Sequence, residues 1–351
     1  MNARLVRHWR LGVIALLAAG SVAYVRRVPW TPVLTTMSHA SLGLLALALC
    51  FHWLALSGKA GIWWIFLRPL GGPRFKTVAR GTLVGATLNS LFVGSSGEAG
   101  RVVLMSRLTG IPSASILATV VLERAVDLCG FLTLLAWAAL LFPIPRPIGL
   151  AGCVALTILA TFVLARRLRS RTVTRGVPGP GQSPSLIARC RRYVRAVFAS
   201  TREIASTRRV AIAIALTLVD WCSELVSYSL VARAAGFPIG VRGSLVALLA
   251  VNVGFLVRVT PGNVGVFELV YATVARSLGL SYDLAIAVAL MLHLVQDVPT
   301  ALLGVSFGMR FFAGDSRSPA PARSVPRRAP ASATLPSSAA PYIEPARGTF
   351  P

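Results

Sequence analysis

Hydrophobic residues run along this chain in blocks too long for the core of a soluble domain. Apolar stretches at roughly 11–28, 39–57, 78–95, 115–142, 147–166, 210–231, 243–260 and 283–311 approach the ~20 residues an α-helix needs to cross hydrocarbon. They predict an all-α polytopic membrane protein with about eight spans. Two shorter apolar pieces, 99–110 and 264–278, each follow a glycine-rich break. The breaks are GSSGEAGR, Gly94 to Arg101, and TPGNVGVFE, Thr260 to Glu268. Each piece is short for a crossing and reads as a half-helix. Non-helical backbone at membrane depth is tolerated only where protein or a watery cavity satisfies it. Glycine permits a tight break and close backbone approach. The half-helix after each break is expected to point its N-terminal amides into the protein, where they would attract an anion such as a lipid phosphate.

The two breaks sit in similar surroundings. LNSLFVGSSGEAGR and VNVGFLVRVTPGNVGVFE both begin as an apolar helix carrying an asparagine, Asn89 or Asn252, and both end at a glutamate, Glu98 or Glu268. Further on, RLTGIPSASILATVVLERAVD (from Arg107) and RSLGLSYDLAIAVALMLHLVQD (from Arg276) both open with Arg-x-x-Gly. A long apolar helix with buried polar groups follows in each, and ungapped alignment sets Arg124 against His293 and Asp127 against Gln296.

Arginine placement orients the repeat. The stretch 166–209 holds twelve arginines, whereas the short link FPIPRP, Phe142 to Pro147, holds one. By the positive-inside rule that long loop and both termini are cytoplasmic. The helix after the first break then runs outward and the helix after the second runs inward, so the halves form an inverted repeat with two broken-helix, re-entrant elements. Such repeats are a sign of a transporter-like core. The N-terminal MNARLVRHWR followed by LGVIALLAAGSVAYV resembles a secretory signal, but no small-x-small cleavage site precedes a soluble domain, so it reads as an uncleaved first span.

Composition sharpens this reading. The 351 residues are 55% hydrophobic and 13% charged, with a mean hydropathy of +0.71, against about 25% charged in a soluble domain. The net charge of +25 invites a nucleic-acid reading. Its distribution at the ends of apolar runs, in one loop and in the C-terminal tail speaks instead for orientation and anionic headgroups, so no nucleic-acid partner is expected. Five isolated cysteines make no CxxC pair, and neither a metal site nor a cofactor is expected. The expected organisation is one integral membrane domain, 1–312, including the basic loop 166–209, and a disordered cytoplasmic Pro/Ala/Arg-rich tail, 313–351. Within the loop, 171–185 is Gly/Pro/Ser-rich and reads as mobile. Residues 186–204 alternate apolar and basic, as either an inner-leaflet helix or a solvated connector would.

Ionisable groups at membrane depth cost roughly 3 kcal/mol each and therefore need a partner or a role. Glu123, Arg124 and Asp127 fall at i, i+1 and i+4, with Arg124 in reach of Asp127. They either line a substrate path or form a structural ion cluster. Glu98 and Arg101, at i and i+3, either serve a site or neutralise each other. Glu268 has Arg258 ten residues before it. His293 and Asp297 read as a hydrogen-bonded pair rather than a metal site, since two ligands make none. Asp220 and Glu224 either carry protons or mark a helix end.

GSSGEAGR, then ERAVD, then TPGNVGVFE together resemble the flippase-like transmembrane domain of lysylphosphatidylglycerol synthases and their stand-alone relatives, over about residues 10–311. The family pattern is approximately Pro-x-x-x-Gly-Glu-x-x-Arg, then Glu-Arg-x-x-Asp, then Pro-Gly-Gly-x-Gly-x-x-Glu. The resemblance implies substrate-binding roles for Gly97, Glu98, Arg101, Glu123, Arg124, Asp127, Pro261, Gly262, Gly265 and Glu268. The chain departs from the pattern at Asn263, where a second glycine is usual, at His293, where arginine is usual and which joins the candidates, and in lacking the first motif's leading proline. The resemblance implies a bacterial inner-membrane lipid flippase or lipid-transport component. Its partners would be membrane lipids with a phosphate-bearing headgroup, with membrane-protein partners and a hopanoid-associated branch as further readings.

Two other readings compete with it. A membrane-embedded lipid-linked transferase is opposed by the lack of an Asp-rich metal motif or a nucleotide-binding glycine loop, and the chain has no soluble domain for an aminoacyl-tRNA. A non-transporting scaffold would use its arginine loop and tail to recruit partners.

Overall fold

The computed structural model describes residues 28–92, 96–141, 204–237, 239–255 and 260–314, together with Arg26 and several positions between 193 and 201. All regular structure among them is helical. The expected spans 11–28 and 147–166, the loop 171–185, most of 186–204 and the tail beyond 314 lie outside the described residues.

Nine helices can be described: α1 (Trp30–Ser38), α2 (Leu42–Leu67), α3 (Phe75–Leu91), α4 (Ser96–Thr109), α5 (Ser113–Leu141), α6 (Thr207–Ala234), α7 (Gly240–Gly254), α8 (Val266–Ser277) and α9 (Tyr282–Gly314). Three helical stretches among the described residues are long and apolar enough to cross a membrane: Leu42–Leu70, Thr207–Ala234 and Tyr282–Gly308. Helix α2 extends well past the expected span 39–57. No breaker occurs before Pro69, and Trp63, Phe66 and Leu67 are fully buried. The segment from Lys59 to Leu67, beyond the expected span, is therefore part of the helix and its core.

Among the described residues, the most extensive helix pairing is that of α2 with α6. His52 meets Glu224 and Lys59 meets Asp220, and Gly61 faces Leu216. Numbers rise on one helix as they fall on the other, so the two are antiparallel. Gly58 and Gly61 lie at this crossing, where an added Cβ would meet Asp220 and Leu216 at ordinary contact distance.

Each glycine break lies between two antiparallel helical arms. On α3 and α4, Gly81 faces Met105 and Gly85 faces Gly97 and Arg101. A Cβ on Gly97 would strike the Gly85 carbonyl and the Asn89 amide, and one on Gly100 would strike Leu88. These small residues let α4 fold back along α3 at the distance small-residue crossings permit. Helices α7 and α8 make the second hairpin, with Gly254 against Val270 and Gly243 against Leu278. The expected spans 78–95 and 243–260 are the first arms of these hairpins. Their 17 and 15 helical residues reach only roughly 26 and 23 Å at 1.5 Å per residue, short of a ~30 Å hydrocarbon core.

The hairpins pack across the molecule as well as within their own halves. Helix α3 lies along α9 and α7 lies along α5. The α3–α9 contact is close: a Cβ on Gly304 would run into Thr87, the Thr87 hydroxyl donates to the Thr300 carbonyl at 3.2 Å, and the Arg80 guanidinium lies 5.4 Å from the Phe307 ring centre.

Candidate functional site

The two breaks meet. The turn Pro261–Asn263 packs on the end of α3, so closely that a Cβ on Gly262 would lie 3.0 Å from the Ser90 carbonyl oxygen. Gly262 and Asn263 both adopt left-handed backbone, at φ 60° and 58°, and Gly265 follows at 89°. Glycine suits all three positions. Asparagine is the substitute that region tolerates best, which accounts for Asn263 at a position where the motif carries glycine.

A cavity of about 300 Å³ opens between the breaks. Both halves line it: Asn89, Ser90, Gly97, Glu98, Arg101, Glu123, Arg124 and Asp127 from the first, and Asp220, Glu224, Asn252, Thr260, Gly262, Asn263, Gln296, Asp297 and Thr300 from the second, with His52 and Lys59 from α2. The Asn263 amide is 5% exposed and neither its oxygen nor its nitrogen has a partner among the described residues. An unsatisfied buried amide costs about 1–3 kcal/mol, so a polar ligand or water in the cavity would relieve it.

The first half contributes three ion pairs on two arginines. Arg101 Nη2 lies 2.9 Å from Glu123 Oε2, both nearly buried, and its guanidinium stacks 4.7 Å from the Trp63 ring centre. The Trp63 indole is itself held by a 2.8 Å bond to Thr119. Arg124 pairs with Glu98 and, at 3.3 Å, with Asp127. Glu98 and Arg101 therefore do not neutralise each other. One helical turn of α4 sends them to different partners on α5.

The second half repeats part of this with other residues. Fully buried Glu268 accepts from the Gly265 amide at 2.6 Å and meets His293 Nδ1 at 2.7 Å. The other imidazole nitrogen faces Asp297 at 3.5 Å, and the Phe267 ring lies 4.3 Å from the imidazole centre. Asp297 also accepts from the Ser90 hydroxyl at 3.0 Å, tying α9 to the end of α3. Each break glutamate is thus bound to the cation-forming residue that the repeat alignment sets in the same place, Arg124 or His293. Arg258, the partner anticipated for Glu268, lies outside the described residues.

One amide at each half-helix start already has an acceptor within the chain. The Gly97 amide donates to Asn89 Oδ1 at 2.8 Å and the Gly265 amide to Glu268. The chain supplies an internal acceptor at each of these two positions, so the expectation of free amides does not hold there. Acid at a helix N-terminus is favourable in any case. The carboxylates also outnumber the fixed cations. Among the described lining residues, Glu98, Glu123, Asp127, Asp220, Glu224 and Asp297 face Lys59, Arg101 and Arg124, with His52 as a further cation-forming group.

Of the residues singled out from sequence, Gly97, Glu98, Arg101, Glu123, Arg124, Asp127 and Gly262 line this cavity. Glu268 and His293 stand behind it, lining a second, neighbouring hollow. Gly265 is the N-cap of α8 and borders neither cavity, and Pro261 opens the turn. Sequence reasoning missed His52, Lys59, Gln296 and Thr300. His52 bonds Glu224 at 3.2 Å and Thr300 at 3.3 Å, Gln296 bonds the other Glu224 oxygen at 3.0 Å, and Lys59 lies 3.8 Å from Asp220. The i, i+4 carboxylates Asp220 and Glu224 were the available signal, since acid inside an apolar span implies a partner on a neighbouring helix.

Compared with known families, residues 9–304 match the family model described as the lysylphosphatidylglycerol synthase TM region. No curated protein matches the chain.

Proposed function

We infer the function from one premise: the chain belongs to the lysylphosphatidylglycerol synthase transmembrane family and is a multi-pass membrane protein. On that premise it moves a polar-headgroup lipid between membrane leaflets, with the headgroup in the cavity between the two breaks. The observation that carries this reading is the cavity itself. It is a polar, charge-lined space of about 300 Å³ in an apolar bundle, built from both halves of the chain, with the buried Asn263 amide left unpaired in its wall.

The exchange of partners between halves supports an inverted repeat with re-entrant hairpins. α2 pairs with α6, and each hairpin packs on the long helix of the opposite half, α3 on α9 and α7 on α5. In transporters of this build the substrate sits where the repeats meet. The setting on this reading is a bacterial inner membrane, with the basic loop and both termini in the cytoplasm, a placement the arginine distribution supports.

The lining refines the substrate. A headgroup bearing only phosphate would meet more carboxylates than fixed cations. A headgroup that also carries an amine gives the surplus carboxylates a partner, while Arg124, more exposed than its partner Glu98, is the side chain positioned to take the phosphate. Reconstitution tests this. Proteoliposomes carrying NBD-labelled phosphatidylethanolamine in one set and NBD-labelled phosphatidylglycerol in another are quenched from outside with dithionite. The expected result is protein-dependent loss of protected label, faster for the amine-bearing lipid and greatly slowed in Arg124→Ala. Protected fractions equal to those of protein-free vesicles for both lipids would overturn the reading.

A further inference from the structure

Beside the polar cavity lies a second hollow of about 350 Å³. Its walls are apolar: Trp30, Leu34 and Met37 from α1 face Leu290, Leu294 and Val298 from α9. The spacings 30, 34, 37 and 290, 294, 298 each form one stripe along a helix. Leu34, Leu294 and Val298 are 57%, 49% and 44% exposed, which places these walls on the outside of the bundle, where a membrane protein meets hydrocarbon. The floor differs. Ser90, Gly262, Glu268, His293 and Asp297 form it, and Ser90, Gly262 and Asp297 line the polar cavity as well. An apolar trench on the outside of the bundle thus borders the charged chamber, with Ser90, Gly262 and Asp297 shared between them.

We propose that this trench holds one hydrocarbon tail of the lipid whose headgroup occupies the polar cavity, and that the gap between α1, α9 and the second break is the lateral doorway through which that lipid enters. The inference deepens the translocation reading and rests on it. Only an amphiphile matches the two spaces at once, since the apolar trench disfavours a headgroup and the charged cavity beside it disfavours a tail. The size suits one tail. At the ~30 Å³ a water molecule occupies in the liquid, the space takes roughly a dozen methylene-sized groups. Gly262 and Ser90 border both spaces, and glycine at 262 adds no side chain between them.

Proteoliposomes of phosphatidylethanolamine and phosphatidylglycerol, with a trace of phosphatidylglycerol carrying a mid-chain diazirine, test this directly. After irradiation, adducts are mapped by mass spectrometry and lipid movement is followed in parallel. Leu302 is the internal reference, since it is on the same helix, is 67% exposed and lines neither cavity. Adducts on Leu294 and Val298 are expected in severalfold excess over Leu302. They should disappear, together with lipid movement, in Leu34→Trp/Val298→Trp, which fills the trench, and persist in Leu302→Trp. Thermal melts of both variants establish that each is folded, and Leu294→Phe provides a milder filling variant. Equal labelling of all three positions, or a trench cross-linked to residues 11–28 of the same chain or to a second copy, would overturn the proposal. Movement at the wild-type rate in a folded, filled variant would overturn the doorway while leaving translocation intact. Trench adducts without any lipid movement would uphold the trench and sink the translocation reading.

Discussion

At the residue scale, the site is a set of charges that have exchanged the partners local spacing suggests. Glu98 and Arg101 are one turn apart on α4, yet Glu98 binds Arg124 and Arg101 binds Glu123. Reversal of Glu98 with Arg101 would therefore break two interhelical pairs, whereas Glu98→Arg with Arg124→Glu, made together with Asp127→Asn to remove the carboxylate that Arg124 also pairs with, reverses one. If Glu98–Arg124 is purely structural, that second exchange restores lipid movement. If Arg124 also meets the phosphate, the folded variant stays inactive, and recovery to the wild-type rate would remove the headgroup role of Arg124. Arg101–Glu123 is buried on both sides. Removing one partner of such a pair typically costs about 3–5 kcal/mol, whereas replacing both with apolar groups is often neutral or stabilising. Arg101→Met alone should lower the thermal midpoint in detergent and Arg101→Met/Glu123→Leu should regain it. A single variant as stable as the parent would show that Glu123 finds another partner.

At the element scale, the glycines of the two breaks have different tasks. Gly97 is a helical contact point where α4 crosses α3, blocked by the Gly85 carbonyl and by Asn89. Gly262 is a left-handed turn residue pressed on the Ser90 carbonyl. Gly97→Leu is expected to force the first hairpin apart, visible as loss of folded protein by size exclusion in detergent. Gly262→Leu should leave the helices assembled and abolish lipid movement by placing a strained side chain between the two spaces. If Gly97→Leu purified as a stable, active protein, the close α3–α4 crossing would be dispensable. Much of this level is legible in the chain. The breaks, the short pieces after them and the glutamate in each first turn are visible because clustered glycine weakens a helix and acid in an apolar run demands a buried partner. The fold-back of α4 on α3 is not legible, since periodicity within one helix says nothing of the neighbour it packs on. The length of α2 is hidden because Lys59 looks like a membrane boundary until Asp220, 161 positions later in the chain, supplies its partner. His52 escapes notice for the same reason: its partners Glu224 and Thr300 are far away in sequence.

At the scale of the whole molecule, family membership, the helical build and the three crossing-length helices agree with the hydropathy pattern, which bilayer thickness dictates almost directly. Orientation is a separate matter, governed by arginine placement. Single cysteines introduced at Arg175 and at Arg146 should react oppositely with an impermeant maleimide applied to intact cells, the second labelled and the first protected. Labelling at position 175 from the outside would invert the topology and with it the inverted-repeat argument.

The contact of Gly262 with the Ser90 carbonyl has a mechanical consequence. Two side chains in contact can slide or change rotamer, so they act as compliant spacers. Main chain pressed on main chain has no such slack, and it works as a hard stop. A stop here would keep the second break from advancing past the end of α3, and so keep the cavity from widening toward both leaflets in one motion. A protein that keeps a charged, wettable chamber inside a membrane risks short-circuiting the ion gradients across it. Here the seal would lie in two tips that obstruct each other. Gly262→Ala vesicles holding an internal pH dye should then leak protons faster than wild type, and equal leak rates would place the barrier elsewhere in the bundle.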